Sequence, residues 1–261
     1  MVSEPTTSGT ILVHREGKVA IIQVNRPERK NAMTAEMSRE FVGRLKELGQ
    51  AHDVRAVVIT GTEDVFLSGA DVGKVTSKLS DMTPIEWREF RDLLHEQLWS
   101  LYTMPKPTIA AINGSAVVGG VEVALACDIR IASEDSRFRV GFRRMALMPS
   151  PAICFLLPFV VGPGWAKLLA FSDRFINAQE AQRIGLVEEV VPRDQLMPEA
   201  LRLATELADG PSLMIAATKQ AMNQAFGLNF DVLRRQIDSA QFVLTRSEDH
   251  REALAAFLEK R

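Results

Sequence analysis

The stretch 112–128 reads Ile-Asn-Gly-Ser-Ala-Val-Val-Gly-Gly-Val-Glu-Val-Ala-Leu-Ala-Cys-Asp and is apolar almost throughout, yet it contains one carboxylate, Glu122. Two glycines, Gly119 and Gly120, precede an apolar run that predicts a buried helix. Burying a carboxylate is costly unless it is paired, hydrogen-bonded or used in chemistry. Glycines beside it let a backbone N–H approach a ligand closely. The stretch therefore predicts a base beside an accessible amide donor, which proton transfer next to a carbonyl requires.

The length and composition of the chain limit the classes of protein to which it can belong. Its 261 residues predict one large domain, or one domain with a small appendage. A hydrophobic share of 46% with 25% charged residues is typical of an ordinary soluble globular protein. The net charge of −2 argues against nucleic acid or an anionic membrane as the main partner. The first ten residues show no targeting peptide, so we expect a cytoplasmic protein.

Short apolar runs alternate with helical patterns over the first half of the chain, and helices dominate after residue 150. The predicted strands are Thr10–His14, Val19–Val24, Arg55–Thr60, Thr108–Ile112, Asp128–Ala132 and Val187–Val191. The predicted helices are 35–49 after a Thr34 cap, Pro84–Tyr102, Gly164–Phe171, Ala178–Arg183, Gln195–Ala208, Ser212–Phe226, Asp231–Leu244 and Glu248–Lys260. This alternation favours an α/β fold with a parallel sheet and right-handed crossovers.

A shift in composition near residue 195 predicts two parts. We expect residues 1–194 to form the core and residues 195–261 to form a helical region with amphipathic faces that can pack on another subunit.

Several kinds of site are missing from the sequence. The four histidines are scattered and lack metal-ligand spacing, so no metal site is expected. There is no phosphate-binding Walker loop, no dinucleotide-binding glycine fingerprint after the first strand, and no Gly-x-Ser-x-Gly elbow.

Four segments follow the predicted elements in a fixed order. Asn25–Met33 (Asn-Arg-Pro-Glu-Arg-Lys-Asn-Ala-Met) comes after the first long strand, and Phe66–Val72 (Phe-Leu-Ser-Gly-Ala-Asp-Val) comes after the second. Pro105–Gly114 leads into the stretch quoted first, and Ala178–Ala181 with Gly185–Val187 comes later. In this order and spacing they resemble the crotonase superfamily, the enoyl-CoA hydratase/isomerase family, over nearly the whole chain.

The resemblance implies a spiral of repeated β-β-α units with a helical C-terminal region that forms a trimer or a dimer of trimers. It implies an acyl-CoA thioester as substrate and no cofactor beyond the coenzyme A that the substrate carries. In such enzymes two backbone N–H groups hold the thioester oxygen and stabilise an enolate. Residue by residue, these are the N–H groups of Ala70 and Gly119, and preorganised donors of this kind stabilise charge that develops on oxygen.

In the same register, Glu122 matches the first of the two glutamates of the family's hydratases. The position of the second glutamate is occupied by Phe142 in this chain. Some isomerases of the family carry an acid after a proline, and that position is occupied by Ser150. An apolar Phe142 would raise the pKa of Glu122 by desolvation, whereas Arg143 or Arg144 would lower it if either pointed inward. Both positions at which the family carries a second acid are therefore non-acidic in this chain.

The resemblance also implies contacts with the acyl-CoA. The adenine end would pack near the loop Lys30–Ala32 and against the backbone of Ala70–Val72. The candidate substrate-binding residues are Lys30, Ala32, Ser68, Gly69, Asp71, Val72, Gly120 and Phe142.

Each candidate also has a purely structural interpretation. Gly119 and Gly120 are compatible with a tight strand-to-helix turn, and Gly69-Ala70-Asp71 with an ordinary loop ending in an N-cap aspartate. Glu122 is compatible with a first-turn glutamate that the helix dipole favours.

Three functions are compatible with the sequence. The first is an enoyl-CoA hydratase/isomerase that works through an enolate; the others are a double-bond isomerase that uses Glu122 alone and a non-catalytic acyl-CoA-binding protein. The group that faces Glu122 across the pocket discriminates between them. A carboxylate such as Asp71 or Glu86 would favour hydration, and apolar side chains alone would favour isomerisation or binding.

Overall fold

The computed structural model describes residues 9–71, 76–225, 239, 242, 245–246 and 248–259. Val72 and all but Ser239 and Phe242 of the predicted helix Asp231–Leu244 lie outside the described residues.

The larger of two sheets has six strands and contains every strand predicted from the sequence. In spatial order these are β1 (Ile11–Glu16), β2 (Val19–Val24), β3 (Ala56–Thr60), β5 (Thr108–Ile112), β7 (Ile129–Ser133) and β10 (Glu189–Val191). The first two strands form an antiparallel hairpin, and the remaining pairs are parallel. Parallel strands need long crossovers, which here are supplied by the helices between them.

Both faces of this sheet are covered, which explains its continuous apolar strands. In β3, Val57 and Ile59 pack into the core on the side of helix α1 (Ala35–Gln50), while Ala56 and Val58 pack on the opposite side. The opposite side is covered by α6 (Leu196–Asp209). Its Leu196, Ala200, Ala204 and Ala208 recur every fourth residue and bring the helix close to the strands.

The smaller, four-stranded sheet was not predicted. Its strands, in spatial order, are β4 (Val65–Leu67), β6 (Ser115–Val117), β8 (Arg137–Arg139) and β9 (Ile176–Asn177). No strand or helix was predicted over 61–71, but β4 lies there and pairs in parallel with β6. These strands have two or three residues each, which is too short for an alternating pattern to be legible in the sequence.

The α-helices in the described residues are α1 (Ala35–Gln50), α2 (Pro84–Tyr102), α3 (Gly119–Ala126), α4 (Pro151–Ser172), α5 (Ala178–Arg183), α6, α7 (Ser212–Ala225) and α8 (Glu248–Leu258). The Thr34 hydroxyl caps α1 by accepting from the N–H of Met37, as its position in the sequence predicts. The prediction of a helix over Gly164–Phe171 was wrong at its start, because α4 begins at Pro151 after a Ser150 cap.

The prolines of α4 explain that error. Pro158 lies inside the helix, and the break falls at Gly162, which has a φ of 76° immediately before Pro163. This helix has the length and apolar composition of a membrane span. The helix packs on α3, however, and Ala152, Ile153 and Leu157 of its first half are buried in the core.

Three β-β-α units follow one another along the chain: β3-β4-α2, β5-β6-α3 and β7-β8-α4. In each unit the first strand joins the larger sheet and the second joins the smaller one. The predicted spiral of β-β-α units is therefore present. As a result, the ends of β4, β6 and β8 lie side by side.

Candidate active site

Three neighbouring parallel strands deliver the candidate residues to one place. The chain leaves β4 into Gly69 and Ala70, leaves β6 into Gly119, and leaves β8 toward Phe142. Carboxyl ends of parallel strands lie at the same edge of a sheet, so residues far apart in sequence meet there. Together with Glu122 of α3, these residues line one pocket of about 90 Å³.

The N–H groups of Ala70 and Gly119 belong to two backbone segments in contact. A Cβ added to Gly119 would lie 2.9 Å from the Cα of Gly69, and one added to Gly69 would lie 3.0 Å from the Gly119 nitrogen. Gly69 also has a φ of 88°, which a side chain disfavours. Within the described parts of the chain, neither the Ala70 nor the Gly119 N–H donates a hydrogen bond. Two donors at one edge of the pocket are thus available to a ligand.

A backbone bridge holds the Ala70 segment in place. The N–H of Met33 donates to the Gly69 oxygen over 2.8 Å, and the N–H of Asp71 donates to the Met33 oxygen over 2.9 Å. The Asp71 side chain is buried and accepts from Arg26 Nη1 over 2.8 Å. The pairing with Arg26 therefore fixes the loop that carries the Ala70 N–H.

The start of α3 is strained. Val118, directly before the helix, has φ 50° and ψ −110°, a conformation rare for a β-branched residue. Such strain costs on the order of 1–3 kcal/mol and persists only where the surroundings enforce it. Here the Val118 N–H donates to the Arg139 oxygen, and its own oxygen accepts from the N–H groups of Val121 and Glu122. This strained turn places Gly119 at the start of α3, where it lines the pocket.

Glu122 lies in the first turn of α3, and its carboxylate is largely desolvated. Its Oε1 is buried, without a hydrogen-bond partner among the described residues. Burial raises the pKa of Glu122 above its ordinary value, while the Ser150 hydroxyl and the positive charge of Arg91 act in the opposite direction. A carboxylate with a raised pKa exchanges a proton more readily near neutral pH than an ordinary one.

Phe142 is buried and faces the same pocket as Glu122. The two neighbouring arginines do not enter the pocket, because Arg143 reaches the Ser172 oxygen and Arg144 pairs with Asp173. Neither carboxylate considered as a partner for Glu122 lines the pocket. Asp71 is paired with Arg26, and Glu86 is exposed in the capping box of α2. Among the described lining residues, Glu122 is the one carboxylate.

Of the other candidates for substrate binding, Lys30, Ala32, Ser68, Asp71 and Gly120 do not line the pocket. Lys30 is exposed on a turn with a φ of 52°, and the Ala32 oxygen accepts from Arg26. Gly120 packs so tightly on β4 that an added Cβ would lie 2.1 Å from the Leu67 oxygen. Ser68 is partly buried between β4 and Gly69.

Sequence reasoning missed the wall that α2 contributes. Arg91 and Gln97 line the pocket and are each 7% exposed. A signal for Arg91 was present in the sequence, because Arg91 follows Trp87 by four residues and precedes Leu94 by three. This spacing places it on the same helix face as these two apolar residues. Among the described residues, no cluster of histidine, cysteine, aspartate and glutamate could hold a metal ion.

Comparisons with known proteins agree with this geometry. The sequence model of the enoyl-CoA hydratase/isomerase family matches residues 14–261. A short-chain-enoyl-CoA hydratase of Clostridium acetobutylicum is 35% identical, over 96% of this chain and 95% of the relative. A crotonyl-CoA hydratase of Syntrophomonas wolfei is 34% identical, over 96% and 95%. The crystal structure of an enoyl-CoA hydratase/isomerase from Pseudoalteromonas atlantica superposes with a TM-score of 0.86 at 27% identity, covering 97% of this chain and 98% of that one.

Proposed function

Because the chain belongs to the enoyl-CoA hydratase/isomerase family, we propose that Glu122 moves a proton at the acyl chain of an enoyl-CoA while the N–H groups of Ala70 and Gly119 hold the thioester oxygen. One observation carries the proposal. Two backbone donors, without a partner among the described residues, and a desolvated carboxylate border the same pocket.

The chemistry follows from that arrangement. Adding a nucleophile at the β-carbon, or removing a proton from the α-carbon, places negative charge on the thioester oxygen as an enolate. Two fixed donors stabilise this charge, and losing one such donor typically costs about 3–4 kcal/mol. Glu122 then exchanges the proton with the carbon or with water.

Hydration is the reaction that the relatives support, since two of them are named hydratases. In this reaction the oxygen of water bonds to the β-carbon and a water proton passes to Glu122. A proton from Glu122 then reaches the α-carbon, so the carboxylate returns to its starting state. With Phe142 at the second position, one carboxylate serves as both base and acid.

Double-bond isomerisation is a second candidate, and Phe142 favours it. A 1,3-proton shift needs one group that takes a proton from one carbon and returns it two carbons away, and it needs no water. The apolar side chain of Phe142 beside Glu122 suits a site without a second acid.

The deciding experiment assays the purified protein with crotonyl-CoA and with a 3-enoyl-CoA, beside the variants Glu122→Gln and Glu89→Gln. Glu89 is exposed on α2, so its variant is the matched control. We expect Glu122→Gln to lose at least about 100-fold in kcat/KM, because general acid–base catalysis contributes 10²–10⁴-fold. Full activity of Glu122→Gln on both substrates would overturn the proposal, and the preferred substrate separates hydration from isomerisation.

We propose further that the enzyme uses no cofactor besides the coenzyme A of its substrate, since Glu122 and two backbone donors suffice for the proton transfers. The adenine end would rest near Lys30, Ala32 and Val72, as the resemblance implies, with the cytoplasm as the place of action.

We also propose a homotrimer or a dimer of trimers. Support comes from apolar side chains that are exposed in the single chain on α4 and α7, where contiguous apolar surface marks association. The largest are Phe159, Phe171, Leu213 and Met222.

A further inference from the structure

The wall of the pocket that α2 supplies is apolar at most positions but contains Gln97, an uncharged polar side chain. Leu94 and Leu98, which precede and follow it on the helix, line the same pocket. Gln97 is 7% exposed, so its amide is almost completely removed from solvent. Polar groups in a ligand pocket are few and usually fix the orientation and identity of the ligand.

The amide of Gln97 has no hydrogen-bond partner within the part of the chain that the structure describes. Its Oε1 is buried without a partner, and its nitrogen donates to no protein group there. Leaving a buried polar group unpaired is costly, and buried amides in native proteins are nearly always hydrogen-bonded. The amide therefore points to a partner outside the chain.

Gln97 lies apart from the reacting end of the pocket. Glu122 Oε1 is also buried without a partner, yet the Gln97 amide and the Glu122 carboxyl do not pair with each other. The Ser150 hydroxyl, on the opposite side from α2, supplies a hydrogen bond to that carboxyl. A ligand atom that meets Gln97 therefore belongs to the acyl chain beyond the α- and β-carbons, which the proposed function places beside Glu122.

The chemistry of the amide selects an uncharged partner. A primary amide has two N–H donors and an acceptor oxygen, and rotation about its last bond lets either side face the pocket. A hydroxyl both donates and accepts, so it pairs with the amide in either orientation. A charged end group buried against a neutral amide would lack a counter-charge there, and an alkyl end would leave the amide unpaired.

We propose that Gln97 binds a hydroxyl group carried by the acyl chain beyond its β-carbon, so that the preferred ligand is the coenzyme A thioester of a hydroxy acid. The inference rests on the proposed function for the acyl-CoA as ligand, but not for the reaction. Leu94 and Leu98 pack on the methylene groups of the chain, and the amide and the hydroxyl satisfy each other.

Isothermal titration with saturated thioesters measures this recognition apart from chemistry. The ligands 4-hydroxybutanoyl-, 5-hydroxypentanoyl- and 6-hydroxyhexanoyl-CoA are compared with pentanoyl-, hexanoyl- and heptanoyl-CoA respectively, because each pair differs only in a hydroxyl that replaces a methyl group. The wild type is expected to bind at least one hydroxyl-ended ligand about 5- to 100-fold more tightly than its methyl-ended match. Equal or tighter binding of all three methyl-ended ligands overturns the inference.

A second comparison separates the acyl chain from the water of the reaction. 3-Hydroxybutanoyl-CoA, the product that hydration of crotonyl-CoA would give, is compared with 3-methylbutanoyl-CoA. The ratio of their affinities is expected to be the same in the wild type and in Gln97→Leu, because this hydroxyl lies on the β-carbon. A hydroxyl preference that is confined to this pair and disappears in Gln97→Leu overturns the inference, since the amide would then meet the water that adds to the β-carbon.

Variants assign the preference to Gln97. Gln97→Leu replaces the amide with an alkyl group, so the methyl-ended ligands are expected to bind at least as tightly as the hydroxyl-ended ones. The control Gln179→Leu makes the same change at an exposed glutamine of α5 and is expected to keep the full preference. Gln97→Asn draws the amide back, so the preferred ligand is expected to be one methylene longer; this variant stays informative if Gln97→Leu does not fold. A hydroxyl preference that neither Gln97 variant alters overturns the inference.

The outcome is separable from that of the proposed function. A hydroxyl preference in a protein that turns over neither crotonyl-CoA nor a 3-enoyl-CoA supports the inference and contradicts the proposed function. Turnover of crotonyl-CoA without any hydroxyl preference does the reverse.

Discussion

At the scale of single residues, burial of the Glu122 carboxylate, which we propose to be catalytic, reduces the stability of the folded protein. Burial raises the pKa of its carboxyl in the folded protein above the ordinary value of 4.5. Between the unfolded and the folded pKa, the native state binds more protons than the unfolded state. The free energy of unfolding therefore falls as the pH rises through that window, and it stays reduced above it.

We therefore expect Glu122→Gln to raise the melting temperature at pH 7–8, by roughly 2–4 °C for each kcal/mol of relieved penalty. A neutral amide of the same shape avoids burying the charge. The gain should shrink as the pH falls, and it should vanish below the unfolded pKa, where the native glutamate is neutral in both states. Thermal melts of both proteins between pH 4 and 8 measure this difference; a gain independent of pH would contradict the explanation.

Gly119 is a second residue whose identity matters, because its backbone touches that of Gly69. We expect Gly119→Ala to lower kcat/KM by about 100-fold or more, since a Cβ at 2.9 Å from the Gly69 Cα pushes the two donor segments apart.

Gly43 provides a matched control for that variant. It lies inside α1 with no atom within 4 Å of an added Cβ, so Gly43→Ala should keep full activity and gain about 0.5–1 kcal/mol in stability. Steady-state kinetics with chemical denaturation measure both effects. Unimpaired turnover by Gly119→Ala would show that the two segments do not need their close contact.

At the scale of elements, a buried cation on α7 connects this helix to the core. Lys219 Nζ lies 2.8 Å from Asp128 Oδ2 and also donates to the backbone oxygens of Leu101 and Lys106. Asp128 in turn accepts from the N–H and the hydroxyl of Thr108, where β5 begins. A helix of the predicted C-terminal region 195–261 is thus connected to the larger sheet.

Removing the ion pair between Lys219 and Asp128 should weaken the packing of α7 on the core. We expect Lys219→Met to lower the free energy of unfolding by about 3 kcal/mol, because removing one partner of a buried ion pair leaves the other charge uncompensated. The control Lys46→Met removes an exposed pair with Glu96 and should cost less than about 1 kcal/mol. Denaturant titration and hydrogen exchange along α7 measure the effect. An equal loss in the free energy of unfolding for the two variants would show that Lys219 does not hold α7 to the core.

The elements also differ in how well the sequence predicted them. The bounds of α2 were predicted without error, because a Thr83 capping box, Pro84 and five apolar positions at helical spacing mark it locally. The strands β4, β6 and β8 were missed, because three residues carry almost no periodic signal. Backbone hydrogen bonds between segments about 50 and 20 residues apart create these strands.

At the scale of the whole molecule, the single chain exposes several large apolar side chains on α4 and α7. Leu213 of α7 is 89% exposed and Phe171 of α4 is 69% exposed. Side chains of this size in contiguous patches mark association surfaces in soluble proteins.

We expect Leu213→Asp to shift the protein from a trimer or hexamer toward the monomer in analytical ultracentrifugation, because a charge in an apolar interface is desolvated without a partner. Arg39→Asp on the exposed face of α1 is the control and should leave the assembly intact. A wild-type protein that sediments as a monomer at micromolar concentration would refute the proposed oligomer.

The sequence alone determined the strands of the six-stranded sheet, nearly all of the helix bounds, and the presence of one carboxylate among apolar neighbours. Through the family resemblance it also predicted the N–H groups of Ala70 and Gly119 as a pair of donors. Periodicity, caps and glycines are local signals, and the segments that carry the family resemblance lie in a fixed order. Tertiary structure alone decided which side chains surround that carboxylate. Whether Arg91 and Gln97 face solvent or the pocket depends on how α2 packs beside α3. Asp71 is kept out of the pocket by its ion pair with Arg26, and Arg144 by its ion pair with Asp173. Such choices are made by contacts between distant segments, and they carry no signal in the neighbouring sequence.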